Sequence, residues 1–159
     1  MLTKLIPEQI SKLWPIIKYA IEQSVPPMAG DHPEKMNRIL SSALCGKIDI
    51  WASYAKKDNV NKFEGIVVTE VLYDDASGIK NLLIYSVFGY EKTSKSTWIT
   101  GLATLAKYGK SLKCNNIVAY SSEKDIIDLV KRLGGDTSFT FLSFGIDEIV
   151  QKLNGLGGD

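Results

Sequence analysis

The sequence predicts an α/β fold organised on a strand, a crossover helix and a second, parallel strand, and three stretches make the case. Leu82, Leu83, Ile84, Tyr85, Val87 and Phe88 form a near-continuous apolar run inside Lys80–Phe88, as a strand covered on both faces requires. Trp98, Leu102, Leu105, Gly109 and Leu112 then recur at steps of three and four within residues 94–113, which places them on one helical face. Ile117, Val118, Ala119 and Tyr120 supply a second short apolar run within residues 116–121. A strand, a helix and a strand in about forty residues make a βαβ unit, whose strands are parallel and whose crossover is right-handed. Ligands of such units bind beyond the carboxyl ends of the strands, often at the helix amino terminus. A small-molecule site is therefore expected around Gly89–Thr97.

The chain before this unit reads as two helices and a run of strands. Ile10, Leu13, Trp14, Ile17 and Ile21 make one stripe of a helix over Pro7–Ser24, with Pro15 expected to kink or divide it. Val25 to Pro33 breaks the pattern with Pro and Gly. Pro33 suits the first position of a second helix, whose apolar face is Met36, Ile39, Leu40, Ala43 and Leu44 and which Gly46 ends. Alternation over residues 47–55 sets Ile48, Ile50 and Ala52 on one face of a strand and Asp49, Trp51 and Ser53 on the other. A polar turn over residues 56–62 leads to a strand over Phe63–Tyr73, and Asp74–Gly78 returns the chain as a hairpin. The expected sheet is thus mixed and mostly antiparallel, with helices on both faces.

Beyond the βαβ unit, Ser122 and Asp125 have capping-box spacing ahead of a helix on Ile126, Ile127, Val130 and Leu133, stopped by Gly134 and Gly135. Ser138–Phe144 alternates as a last strand, and Asp147 opens a short helix through Leu153 before the tail. There is no internal repeat, low-complexity segment or linker, so one domain over residues 1–159 is expected.

Composition narrows the function classes. A chain of 159 residues buries about 68–70% of its unfolded surface, and 45% hydrophobic with 23% charged residues is ordinary for a globular protein. A net charge of +1 gives no electrostatic reason to expect nucleic-acid binding, so the basic helical stripe Lys107, Lys110 and Lys113 reads as a solvated face. No apolar run approaches the ~18 residues of a membrane span, and the residues after Met1 show no signal-peptide pattern. Cys45 and Cys114 lack metal-ligand spacing and read as reduced, buried thiols in a cytoplasmic setting, with a disulfide between them left open. No metal site is expected.

Two helices, a three-stranded antiparallel meander, the βαβ unit, a helix ending in Leu-Gly-Gly and a final strand form an order that resembles the GNAT superfamily of N-acetyltransferases over roughly Leu2–Phe144. Within it, Val130–Phe144 (VKRLGGDTSFTFLSF) is similar to divergent members encoded by bacteriophages. The resemblance implies acyl transfer from acetyl-CoA, as cosubstrate, to an amine acceptor, with acyl-CoA in the cleft where the parallel strands part. It also implies a host-cell cytoplasmic or virion location and partners that include a second copy or phage proteins. Three positions depart from the family pattern. The pyrophosphate loop reads GYEKTSKST with no glycine after Gly89, Val130 stands where many members have a Tyr, and Lys80–Phe88 carries no Glu. A non-catalytic binding or structural protein of the same fold is therefore the alternative.

The residues that would carry the chemistry follow from that cleft. Val87, Phe88 and Gly89 end the central strand, while Lys92 and Lys95 offer charge and Thr93, Ser94 and Ser96 offer hydroxyls to a pyrophosphate. The free amides and positive dipole end of the helix act in the same place. Thr93 or Ser94 serves equally as a plain N-cap. Glu91, Tyr85 and Ser121 are the candidates for proton transfer, with a first-turn charge and a core aromatic as the structural readings of Glu91 and Tyr85. Glu70 near its strand end and His32, the sole histidine, read as a solvent-facing residue and a helix-start residue.

Overall fold

A computed structural model describes residues 1–157 as two compact units, Met1–Tyr120 and Ser121 onward. In the first unit, β1 (Leu2–Lys4) is followed by α1 (Pro7–Glu22), α2 (Lys35–Leu44), β2 (Ile48–Lys57) and β3 (Val60–Asp74). Then come β4 (Ile79–Gly89), α3 (Lys95–Ser111) and β5 (Asn116–Ala119). The five strands form one sheet in sequence order, antiparallel except for the β4–β5 pair. Leu82 lies opposite Ile117 and Ile84 opposite Ala119, with α3 between the two strands in the chain, so the βαβ unit stands as expected.

Alternation along β2 decides which helices lie on which face. Ile48, Ile50 and Ala52 point to one side and join Ile17, Ile21 and Ile39 of α1 and α2, together with Ile66 and Val68 of β3. Trp51 points to the other side and packs with Leu2, Leu82 and Leu105 of α3. Its indole N–H donates to Thr69 Oγ1 at 2.9 Å, which satisfies a polar group that burial would otherwise penalise. Tyr108 of α3 donates to Asp49, and Lys4 pairs with Asp49 at 3.1 Å, so a polar clamp fastens α3 across β1 and β2.

Several boundaries differ from the sequence reading for identifiable reasons. α1 runs unbroken through Pro15, since its stripe of buried Ile10, Ile17 and Ile21 outweighs one lost hydrogen bond. α2 begins at Lys35, with Pro33 in the preceding turn. The β2–β3 turn contracts to Asp58 and Asn59, at φ 52° and 60°, the left-handed region that these two residue types tolerate best. Cys45 is exposed rather than buried, and both thiols are free. Trp98 and Leu102, expected under the sheet, are half-buried, whereas Leu105 and Gly109 of the same stripe are fully buried.

The second unit contains α4 (Lys124–Arg132) and α5 (Ile146–Leu156). The expected Ser122–Asp125 box is absent, and the Ser121 hydroxyl instead accepts the Glu123 amide at 3.1 Å. Gly134 at φ 82° ends α4 as its glycine pair predicts, and the Gly135 amide donates back to the Val130 carbonyl at 2.9 Å. Ser138–Phe144 forms no strand: alternation supplies the two faces, but a strand also needs a paired ladder. The tail after Gly157 lies outside the described residues.

Candidate functional site

Two β-bulges shape the sheet. Between β2 and β3 the register steps from Ser53–Gly65 to Tyr54–Phe63, so Glu64 is an extra residue with no partner across the ladder. Between β3 and β4 it steps from Val68–Ser86 to Thr69–Ile84, which leaves Tyr85 as the extra residue of β4. Such insertions re-aim side chains and are frequent beside functional sites. Beyond Ile84 the central strand continues for five residues, Tyr85–Gly89, past its last pairing with β5.

A cavity of about 90 Å³ lies between the amino-terminal half of α3 and this end of the sheet. Val67, Ile84, Leu102 and Leu105 give it apolar walls, Trp98 adds an aromatic one, and Leu2 of β1 contributes from the edge. Val87, Phe88, Gly89 and Thr93 also line it, so four of the residues that the sequence marked for acyl-CoA meet here. Gly101 lies on the same helical face as Trp98 and Leu105, and the space a Cβ would take there is open. Gly65 permits the close approach of β3 to β4, since a Cβ there would strike the Phe88 carbonyl oxygen.

Glu64 is the residue sequence reading passed over. It is 9% exposed, it lines the cavity, and its Oε2 has no hydrogen-bond partner. Phe63 and Ile66 both pack with the α1–α2 side while Val67 packs with the α3 side, and the bulge lets Glu64 and Gly65 reach the cavity between them. No Lys, Arg or His lines the cavity among the described residues. The signal was present in the sequence as Glu-Gly inside an apolar strand, where a glycine often marks a bulge or a close approach.

The remaining sequence candidates are distributed around the cavity or apart from it. Tyr85 packs with the core on the α1–α2 side, and burial, with the Glu70 charge as a second cause, pushes its phenol pKa up. Burial also raises the Glu70 carboxyl. Glu91 is exposed and bonded to Lys62, whose ammonium holds the carboxyl below the usual range. Ser94 is the N-cap of α3: its hydroxyl accepts the Thr97 amide at 3.2 Å and exchanges bonds with the Ser96 and Thr97 hydroxyls. Lys92, Lys95 and Ser96 are exposed beside it, none of them lining the cavity, and Ser121 belongs to the second unit. His32 accepts the Glu34 amide at its Nδ1, a helix-start role. Among the described residues no group of three His, Cys, Asp or Glu is placed to hold a metal, and no helix is long and apolar enough to cross a membrane.

No protein-family profile and no curated sequence matches the chain. Solved structures do. A predicted acetyltransferase from Clostridium acetobutylicum, solved with acetyl-CoA, aligns over 93% of this chain and 97% of its own at a TM-score of 0.63 and 15% identity. A ribosomal-protein-alanine N-acetyltransferase from Brucella melitensis biovar Abortus aligns over 92% and 99% at 0.61 and 10%. An aminoglycoside acetyltransferase from an uncultured soil metagenomic sample, in complex with sisomicin, aligns over 92% and 95% at 0.64 and 10%. The fold is that of GNAT acetyltransferases.

Proposed function

We propose that this chain is a single GNAT-like domain that transfers an acetyl group from acetyl-CoA to an amine. The observation that carries the reading is the free end of β4: Tyr85–Gly89 outruns β5, and its Val87, Phe88 and Gly89 line the cavity with Thr93 and Thr97 from the amino end of α3. An unpaired strand edge offers backbone donors and acceptors to an extended thioester arm. The amino end of α3 offers a positive dipole end to its phosphates. Lys92 and Lys95 add charge there, and Thr93, Ser94 and Ser96 add hydroxyls, in place of the missing glycines. The bound thioester supplies an activated acyl carbon; the chain's part is to orient it, exclude water and handle one proton. Tyr85, Glu91 and Ser121 are the candidates for that proton, and the bulge sets Tyr85 where β4 loses its neighbour.

One observation favours a second reading, a non-catalytic binding or structural protein, including a component of a phage particle as the Val130–Phe144 resemblance implies. The Ser94 hydroxyl, which a pyrophosphate would need, is already occupied by its own cap and its neighbours. Calorimetric titration of acetyl-CoA, on the native chain and on Lys92→Ala/Lys95→Ala, separates the two. Binding weakened by up to roughly tenfold per lost contact supports the transferase. No heat and no thermal shift at millimolar acetyl-CoA rejects it and leaves the structural protein.

A further inference from the structure

We infer that the second unit is the contact face of a two-fold homodimer: residues 138–144 pair antiparallel with the same residues of another copy, and α5 packs beside them. The pairing is independent of whether the chain is a transferase. Phe139, Leu142 and Phe144 are 87%, 81% and 75% exposed, which leaves large apolar side chains in water. Ile146, Val150, Leu153 and Leu156 follow at steps of three and four along α5 and lie exposed on one face of it. These side chains together present roughly 900 Å² of apolar surface, against a few hundred Å² for the largest patch on an ordinary monomer. A standard interface takes ~800 Å² from each partner, so one copy offers what one such contact uses.

The backbone decides what kind of contact this is. Ser138–Phe144 alternates as a strand does, yet among the described residues no strand of this chain pairs with it. Residues 137–146 hold no charged residue and no proline, the devices that keep an edge from pairing with another chain. No residue of 138–144 has a positive φ, so an extended ladder is open to the backbone. A two-fold axis sets two copies of one strand antiparallel, and a pair centred on Thr140 brings Phe139 opposite Phe141 twice. The same centre puts Asp136 opposite Phe144 and keeps it clear of a like charge. A lipid surface suits the run less well, because Asp136, Asp147 and Glu148 bracket it and would meet anionic headgroups.

Light scattering after size-exclusion chromatography measures the mass of the native chain from micromolar to near-millimolar concentration. Twice the 17.6 kDa of one chain is expected. A single-chain mass at every concentration overturns the inference, whether the run stays open or its own first unit covers it. A mass that climbs past two copies also overturns it, since a two-fold contact closes. Thr140→Glu and Thr140→Lys change an exposed residue and set like charges opposite each other across the axis. Each variant alone is expected to dimerise at least tenfold more weakly, and an equimolar mixture of the two is expected to recover the dimer. That recovery is one a misfolded variant could not give. A mixture that stays monomeric, or a single variant that dimerises like the native chain, overturns the pairing. Leu153→Asp, on the exposed face of α5, is expected to weaken the dimer at least tenfold as well, and an undiminished dimer overturns the contact. Flotation of a monomer with phosphatidylcholine–phosphatidylglycerol vesicles would overturn it in favour of a lipid surface.

Discussion

Leu105 and Leu102 differ by three positions on one face of α3, yet truncating them should have unequal consequences. Leu105 also borders the cavity but is 3% exposed and packs against Leu2, Trp51 and Leu82, so Leu105→Ala removes a fully buried side chain. Leucine-to-alanine changes in such cores cost ~3–5 kcal/mol, the lost transfer energy plus the void left behind. Leu102 is only half-buried and already borders a cavity of about 90 Å³. Its removal forfeits roughly half of the transfer energy and few close contacts, so Leu102→Ala should cost ~1–2 kcal/mol. At ~2–4 °C per kcal/mol for a chain of this size, the melting points should fall by roughly 6–20 °C and 2–8 °C. Urea titration followed by tryptophan fluorescence measures both on one scale, with an unchanged slope as the sign that only stability moved. Equal costs for the two substitutions would refute the difference in burial, since they would show that α3 is seated evenly along its length.

Two further outcomes follow from the same geometry. Gly109 is buried inside α3, and an added Cβ would lie 3.5 Å from Leu82 Cδ2 and 3.7 Å from Cys114 Cβ, ordinary contact distances. Gly109→Ala should therefore gain helix propensity without a clash and stabilise by about 0.5–1 kcal/mol; a lower melting point would show that the helix cannot give by even that much. Glu70 has its pKa raised by burial, so the folded state favours its protonated form. That contribution is present below the unfolded pKa of ~4.3 and is lost as pH rises through the higher folded value. Glu70→Gln should melt above the native chain at pH 7 and level with it below about pH 4, and a pH-independent gap would contradict the assignment.

The parts of the fold that periodicity can encode were legible in the sequence. Leu82–Phe88 announces a strand covered on both sides, and Ile48, Ile50 and Ala52 against Trp51 foretell which helices share which face. What periodicity cannot carry is a break in itself. The extra residues Glu64 and Tyr85 are visible only once the register across two strands is known, and so the buried carboxylate went unread. The stripe from Trp98 to Leu112 gives the direction of α3 but not its distance from the sheet, which is why Leu102 was expected in a core and borders a cavity instead. β1, three residues long, is too short for any pattern, and it becomes a strand because Leu2 and Lys4 find Ser53 and Trp51. Ser138–Phe144 has the pattern without a ladder.

The order of the sheet also orders the events of its formation. β2 returns as β3 through Asp58 and Asn59, and β3 returns as β4 across four residues, so these pairings close short loops. β1 must find a partner some fifty positions away, as Leu2 opposite Ser53, and β5 joins β4 across an entire helix. Loop-closure entropy favours the meander as the early structure and the two outer strands as late additions. The cavity has Leu2 on one wall and α3 over it, so it exists only after the late pieces have docked. A molecule held there stabilises the finished protein and not the transition state that precedes it. It therefore slows unfolding while leaving the rate of refolding where it was.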